Sequence, residues 1–277
     1  YLPKMKIKVR GIQYFYQIHQ QNKDLPYLVL LHGFMGSSQS FKELIPSLST
    51  FCNPITIDLL GHGETDGSEM HYRFASREQT ADIIKLISEQ FQYPLFLYGY
   101  SMGGRLALQI ALQRPDLIQG LILESTTFGI ENEQERQARQ VLDAQRADSI
   151  SGNFDQFLKE WELLPIFESN SLHKEAKILI KEIQKNQTPL WISNSLLGFG
   201  TGNMPCVKNE LDKLAMPVQL FAGENDQKFT NVMATMQNRI SNATLKIFEN
   251  ANHRVHIEQI EEFVKSLKKF ILTNTLS

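Results

Sequence analysis

The sequence predicts an α/β protein: a mostly parallel sheet flanked by helices, with a helical segment inserted after the sixth strand. Three observations carry that expectation. Short apolar runs recur along the chain, among them YLVLL (27–31), LFLYG (95–99) and IQGLILE (118–124). Segments of helical spacing separate them, and such alternation is the pattern of crossover connections in a parallel sheet. From about Thr126 to Leu214 the rhythm stops and the chain reads as polar and helical, then resumes at MPVQLFAGEND (216–226).

Each element follows from its residues. MKIKV (5–9) and IQYFYQIH (12–19) alternate as strands do, with Gly11 at the turn between them. YLVLL is a continuous apolar run, as a strand buried on both faces requires. A helical pattern begins at Phe41, and NPITIDL (53–59) is the next buried strand. Residues 79–91 have helical spacing, LFLYG is a strand, 103–113 a helix and 118–124 the sixth strand. The insertion contains QERQARQVLDAQRAD, FLKEWELLPIF and AKILIKEIQKN. Residues 1–125 and 215–277 are therefore expected to form a core domain and 126–214 a helical cap. An insertion of that length carries its own structure and a role, such as a lid. A helix, the strand ATLKIFE and a final helix (257–272) complete the chain.

Bulk composition excludes several classes. The 277 residues are 42% hydrophobic and 21% charged, with a net charge of −2, which leaves no basic field for nucleic acid or an anionic membrane. Cys52 and Cys206 are far apart and not in a metal spacing, as free thiols of a reducing compartment would be. No apolar run approaches a membrane span and the N-terminus lacks a signal-peptide core. A soluble cytoplasmic protein, monomer or homodimer, is the expectation.

The chemistry starts at Gly99-Tyr100-Ser101-Met102-Gly103, which matches G-x-S-x-G. It follows an apolar strand and opens a helix, as a nucleophile elbow must: the glycines leave room for a sharp turn that exposes the serine hydroxyl. Serine is a poor nucleophile and a poor base until a histidine takes its proton. With this elbow the chain order is Ser, then an acid, then His. Asp226 lies in the loop AGENDQKF and His253 at the apex of ENANHRVHIEQ, with Glu224 and His256 as rivals. His71 and His173 read as solvated surface residues. The loop LLHGFMGSS, at His32-Gly33, is placed to supply a backbone donor, so the N–H groups of Phe34 and Met102 are the candidate oxyanion donors. Asp58, His62 and Gly63 in DLLGHGETD read as a structural loop at the same rim.

At these residues the chain resembles the α/β-hydrolase family: LHGF, DLLGHG, GYSMGG, AGENDQKF and ANHRVH occur in the family's order. GYSMGGRLAL, LILESTTFGI, QERQARQ, EWELLPIF, GFGTGNMP and AGENDQKF narrow the resemblance to its menaquinone-pathway branch, the 2-succinyl-6-hydroxy-2,4-cyclohexadiene-1-carboxylate synthases. That resemblance implies a lyase eliminating pyruvate from a cyclohexene bearing three carboxylates, with no organic cofactor and no metal. It implies substrate contacts at Arg105, at Arg139 in the insertion, at Tyr100 and at Trp161, with Arg136 as the alternative to Arg139. Arg105 lies one helical turn beyond Ser101 on the same face, and arginine suits bidentate carboxylate binding. Two departures stand out. The branch has a further arginine after the LPIF stretch, where this chain's nearest cation is Lys181, and an arginine where this chain has Leu197. GFGTG (198–202) is not read as a phosphate loop, because no strand clearly precedes it. An acyl hydrolase using the same three residues is the competing expectation. A non-catalytic binding module of this fold would be expected to lose one of them.

Overall fold

The computed structural model describes residues 4–169 and 172–275. Its strands are β1 (Lys4–Val9), β2 (Ile12–Ile18), β3 (Tyr27–Leu31), β4 (Asn53–Ile57), β5 (Leu95–Tyr100), β6 (Ile118–Glu124), β7 (Val218–Gly223) and β8 (Ala243–Phe248). They form one sheet in the order β1-β2-β4-β3-β5-β6-β7-β8. β1 and β2 pair antiparallel, as does β2 with β4; every other pairing is parallel.

The apolar runs owe their continuity to burial on both faces. In β3, Val29 and Leu31 enter one core while Leu28 and Leu30 enter the other. In β5, Leu95 and Leu97 face the first core, and Phe96, Tyr98 and Tyr100 the second. Helices α2 (Ser76–Gln90), α3 (Met102–Gln113) and α8 (Gln227–Arg239) close the first core. The short α1 (Ile45–Leu48) and α9 (Val255–Glu258), with α10 (Ile260–Asn274), close the second.

Between β6 and β7 the described chain is helical: α4 (Glu133–Gly152), α5 (Phe154–Glu162), α6 (Lys174–Lys185) and α7 (Pro189–Phe199). Its own small core joins Ile150, Phe157, Leu158, Ile192 and Leu196 to Met35 of the sheet domain.

Three local expectations are corrected. No long helix begins at Phe41; a 3₁₀ turn (Ser38–Phe41) and four residues of α1 replace it, with Pro46 in the first turn of α1. The final helix is split, because Gln259 takes φ −135° and ψ 51° between α9 and α10. The insertion is not uniformly polar: α7 is an apolar helix whose residues Ile192–Leu196 are all buried. It buries Ser193, Asn194 and Ser195 along with its apolar residues, so no amphipathic stripe marks it in the sequence.

The strand order reverses between β3 and β5, which leave the sheet in opposite lateral directions. The crevice beyond the carboxyl ends of such strands is where parallel sheets place their ligands. The segments that leave β3 and β5 begin with His32 and Ser101.

Candidate active site

Ser101 is forced into a conformation that costs energy. It has φ 50° and ψ −107°, between the last residue of β5 and the first of α3. The surroundings over-determine it. The Ser101 N–H donates to the Glu124 carbonyl at 2.9 Å, and Thr126 Oγ1 donates to the Ser101 carbonyl at 2.6 Å. A Cβ on Gly103 would meet the His32 carbonyl oxygen at 2.6 Å, and one on Gly104 the Thr126 Cβ at 2.6 Å. Close backbone approach thus holds the strained serine, as at many functional turns.

The loops after β7 and β8 bring two distant residues to it. His253 Nε2 lies 3.1 Å from Ser101 Oγ, and its Nδ1 lies 2.6 Å from Asp226 Oδ2. An ionised carboxylate only accepts, so Nδ1 carries the hydrogen and Nε2 offers its lone pair to the serine hydroxyl. Asp226 and His253 are both buried. The arrangement can draw a proton from Ser101 and hold it on the imidazole beside a carboxylate.

The rivals are occupied elsewhere. His256 Nδ1 is 2.8 Å from Glu124, which also accepts from Tyr98 Oη at 2.5 Å. The Tyr100 ring packs against both imidazoles, its centroid 4.6 Å from His256 and 5.4 Å from His253. Glu224 is exposed and accepts the Asn250 N–H at 3.0 Å. His62 is buried, with Nδ1 2.9 Å from the Leu60 carbonyl, and burial together with neighbouring His32 pushes its pKa down to about 3. His71 and His173 are exposed. Asp58 accepts from both Ser38 N–H (2.6 Å) and Glu64 N–H (2.8 Å), pinning the loop that carries His62.

Ser101 opens onto a cleft of about 230 Å³ walled by both the sheet domain and the inserted helices. Phe34 and Met102 are among its lining residues. Met102 is the first residue of α3, where a helical N–H has no intrahelical acceptor. Tyr100 and Trp161 line the cleft too; Trp161 packs edge-on to Phe34, centroids 5.4 Å apart.

The cations sort into those inside the cleft and those outside. Arg105 is buried, donates to the Phe199 carbonyl at 2.5 Å and stacks 4.7 Å over the Phe199 ring. Burial, and then Arg139, lower its pKa to about 9, so it remains a cation at neutral pH. Arg139 lines the cleft, with Nε 2.8 Å from Asp143. Arg136 is outside it, paired with Glu133 at 2.8 Å on an exposed face.

Lys181 is a correction. It is exposed and absent from the cleft wall, because α6 turns Ile180, Ile183 and Gln184 inward and position 181 lies about 100° from 180 on the helix. Leu197 does not line the cleft either, whereas Gly200 and Thr201 of the GFGTG segment do. Three cations that the sequence reading did not single out lie in the wall instead: Arg146, Lys228 and Arg254. Arg254 reaches Glu162 of α5 at 2.8 Å and covers the Phe167 ring at 4.2 Å. Burial opposes its charge, but Tyr100 and Glu162 outweigh that and raise its pKa. The signals were present: Arg146 is seven residues beyond Arg139, two turns along one helix face, Lys228 follows Asp226 by two, and Arg254 follows His253.

Among the described residues no group of His, Cys, Asp or Glu is placed to hold a metal, and no helix is long and apolar enough to cross a membrane.

Residues 26–259 match the alpha/beta hydrolase fold family. A chain of Bacillus subtilis (strain 168), provisionally named 2-succinyl-6-hydroxy-2,4-cyclohexadiene-1-carboxylate synthase, is 34% identical over 249 residues, covering 88% of this chain and 89% of that one. A Haemophilus influenzae chain with the same provisional name is 32% identical over 251 residues, covering 88% and 97%. The solved structure of MenH from S. aureus superposes with a TM-score of 0.90 at 32% identity, covering 94% of this chain and 99% of that one.

Proposed function

The chain belongs to the α/β-hydrolase family, and on that premise we propose that it is a carbon–oxygen lyase of menaquinone biosynthesis. Its substrate is 2-succinyl-5-enolpyruvyl-6-hydroxy-3-cyclohexene-1-carboxylate and its products are pyruvate and 2-succinyl-6-hydroxy-2,4-cyclohexadiene-1-carboxylate. One observation carries the reading beyond the family: the hydroxyl held by His253 and Asp226 opens into a cleft walled by arginines. Neutral esters do not call for such a wall; a tricarboxylate does.

In this mechanism His253, oriented by Asp226, takes the Ser101 proton as the serine oxygen removes a ring proton beside the succinyl carbonyl. The C–H electron pair becomes a ring double bond, the existing double bond shifts by one position, and the C–O bond to the enolpyruvyl group breaks. That pair leaves on oxygen; the departing enolpyruvate takes the proton held by His253 and tautomerises to pyruvate, while Ser101 keeps the ring proton as its hydroxyl hydrogen. No bond forms between substrate and serine. Arg105 and Arg139, with Tyr100 and Trp161, hold the carboxylates so that the ring C–H faces Ser101. The N–H groups of Phe34 and Met102 stabilise charge developing on the succinyl carbonyl oxygen. Residues 126–214 act as the cap that covers the bound substrate.

The test supplies the enolpyruvyl substrate and follows pyruvate with a coupled lactate dehydrogenase. Wild type should release pyruvate, and Ser101→Ala should lower kcat by roughly 10³-fold or more while leaving substrate binding largely intact. Undiminished turnover by Ser101→Ala would remove the serine from the mechanism.

A further inference from the structure

The positive charge of the cleft exceeds the negative charge that answers it. Five cations line it: Arg105, Arg139, Arg146, Lys228 and Arg254. Among the described residues the carboxylates paired with them are Asp143 and Glu162; Asp226 is engaged by His253, and Glu258 accepts the backbone N–H groups of Asn252 and Arg254. Three of the cations have hydrogen bonds of their own: Arg105 to the Phe199 carbonyl, Arg254 to Glu162 and Arg139 to Asp143.

Arg146 differs. Among the described residues its guanidinium has no hydrogen-bonded acceptor; the nearest acid oxygen is Asp143 Oδ1 at 3.7 Å, the atom that already accepts from Arg139. Packing holds it in place instead, 5.3 Å over the Trp161 ring, with its side chain 22% exposed. Lys228, at the start of α8, has no ion pair among the described residues. Burial first, then Arg139 and Arg146, lower its pKa, against the opposing pull of Asp226 and Asp143. Like charges gathered in a half-dry cleft with donors unspent repel one another until an anion joins them.

We propose that Arg146 and Lys228 are further substrate-binding residues, a carboxylate-holding wall shared between the inserted segment and the sheet domain. The planar guanidinium of Arg146, set by Trp161, binds a carboxylate as a fork, and Lys228 adds a point charge from α8 of the sheet domain. This wall supplies the anion contact for which Lys181 lies too far out. The proposal rests on the reading of the ligand as a polycarboxylate.

Tricarballylate, a flexible tricarboxylate, is the probe. Its dissociation constant is measured by calorimetry at low and raised ionic strength. Arg146→Ala and Lys228→Met should each weaken binding on the order of ten- to a hundredfold and flatten its salt dependence. Arg146→Lys should recover part of the loss, and Arg136→Ala, on the exposed face of α4, should bind like wild type. Arg146→Gln keeps the stem packed on Trp161, so it repeats the test should the alanine variant fold poorly. Equal binding by wild type and the two charge-removed variants, or no binding by wild type, overturns the proposal. Pyruvate release on the same preparations separates the two claims. Tricarballylate binding that depends on Arg146, in a wild type that makes no pyruvate, removes the lyase reading and leaves the wall. Pyruvate release with wild-type KM in Arg146→Ala and Lys228→Met removes the wall and leaves the lyase.

Discussion

At the scale of single residues, hydrogen-bond accounting separates histidines that look alike in the sequence. His32 donates from Nδ1 to the Gly33 carbonyl at 2.8 Å and accepts the Leu59 N–H on Nε2 at 3.0 Å, so both nitrogens are engaged only while the ring is neutral. Burial pushes the His32 pKa down to about 4, and burial with the charge of His32 pushes His62 to about 3. Both folded values lie below the unfolded one of roughly 6.5. The stability these rings contribute is therefore full above that pH and is lost as pH falls through the window toward 4 and 3. Each group adds a slope of roughly 1.4 kcal/mol per pH unit below about pH 6. Urea unfolding at pH 7, 6 and 5 should show stability falling, less steeply in His62→Gln. A stability that stays flat over that range would contradict the burial argument. Chain order narrowed the acid and the base to two loops, and place within each loop favoured Asp226 over Glu224 and His253 over His256. Arg146 and Lys228 were not legible as ligand residues: a helix face of mixed charge reads as solvated until a second segment is seen to cover it.

At the scale of elements, the β5–α3 turn leaves little room for substitution. Gly103 lies against the carbonyls of Leu31 and His32, which are backbone atoms and cannot swing aside. Gly103→Ala should destabilise the protein by roughly 1–3 kcal/mol, read as a lowered midpoint in chemical denaturation; an unchanged midpoint would mean that β3 and α3 can separate without cost. The strands are legible in the sequence because each is a short apolar run or an alternating segment bounded by turn residues, and the structure places the described ones near their expected positions. The helices are less evenly legible. α2 and α3 carry a clear apolar stripe, whereas α7, buried on most sides, shows none, and α1 is only one turn long.

At the scale of the whole molecule, function depends on two bodies of sequence meeting. The sheet brings Ser101, Asp226 and His253 to one edge, and the segment between β6 and β7 brings Arg139, Arg146 and Trp161 over it. Arg254 and Glu162 tie the two together at 2.8 Å, a buried arginine held by a carboxylate of α5. The existence of the insertion was legible from the loss of strand rhythm; the faces it turns inward were not, since they are set by tertiary packing such as that of Met35 against Ile192 and Leu196. The same sheet and the same three residues would serve an acyl hydrolase, so the wall of cations is what distinguishes the two chemistries. The most direct measurement is kcat/KM for the enolpyruvyl tricarboxylate against kcat/KM for a short neutral nitrophenyl ester on one preparation. The tricarboxylate should be preferred by roughly 10⁴-fold or more. Efficient ester cleavage with no pyruvate from the tricarboxylate would contradict the account.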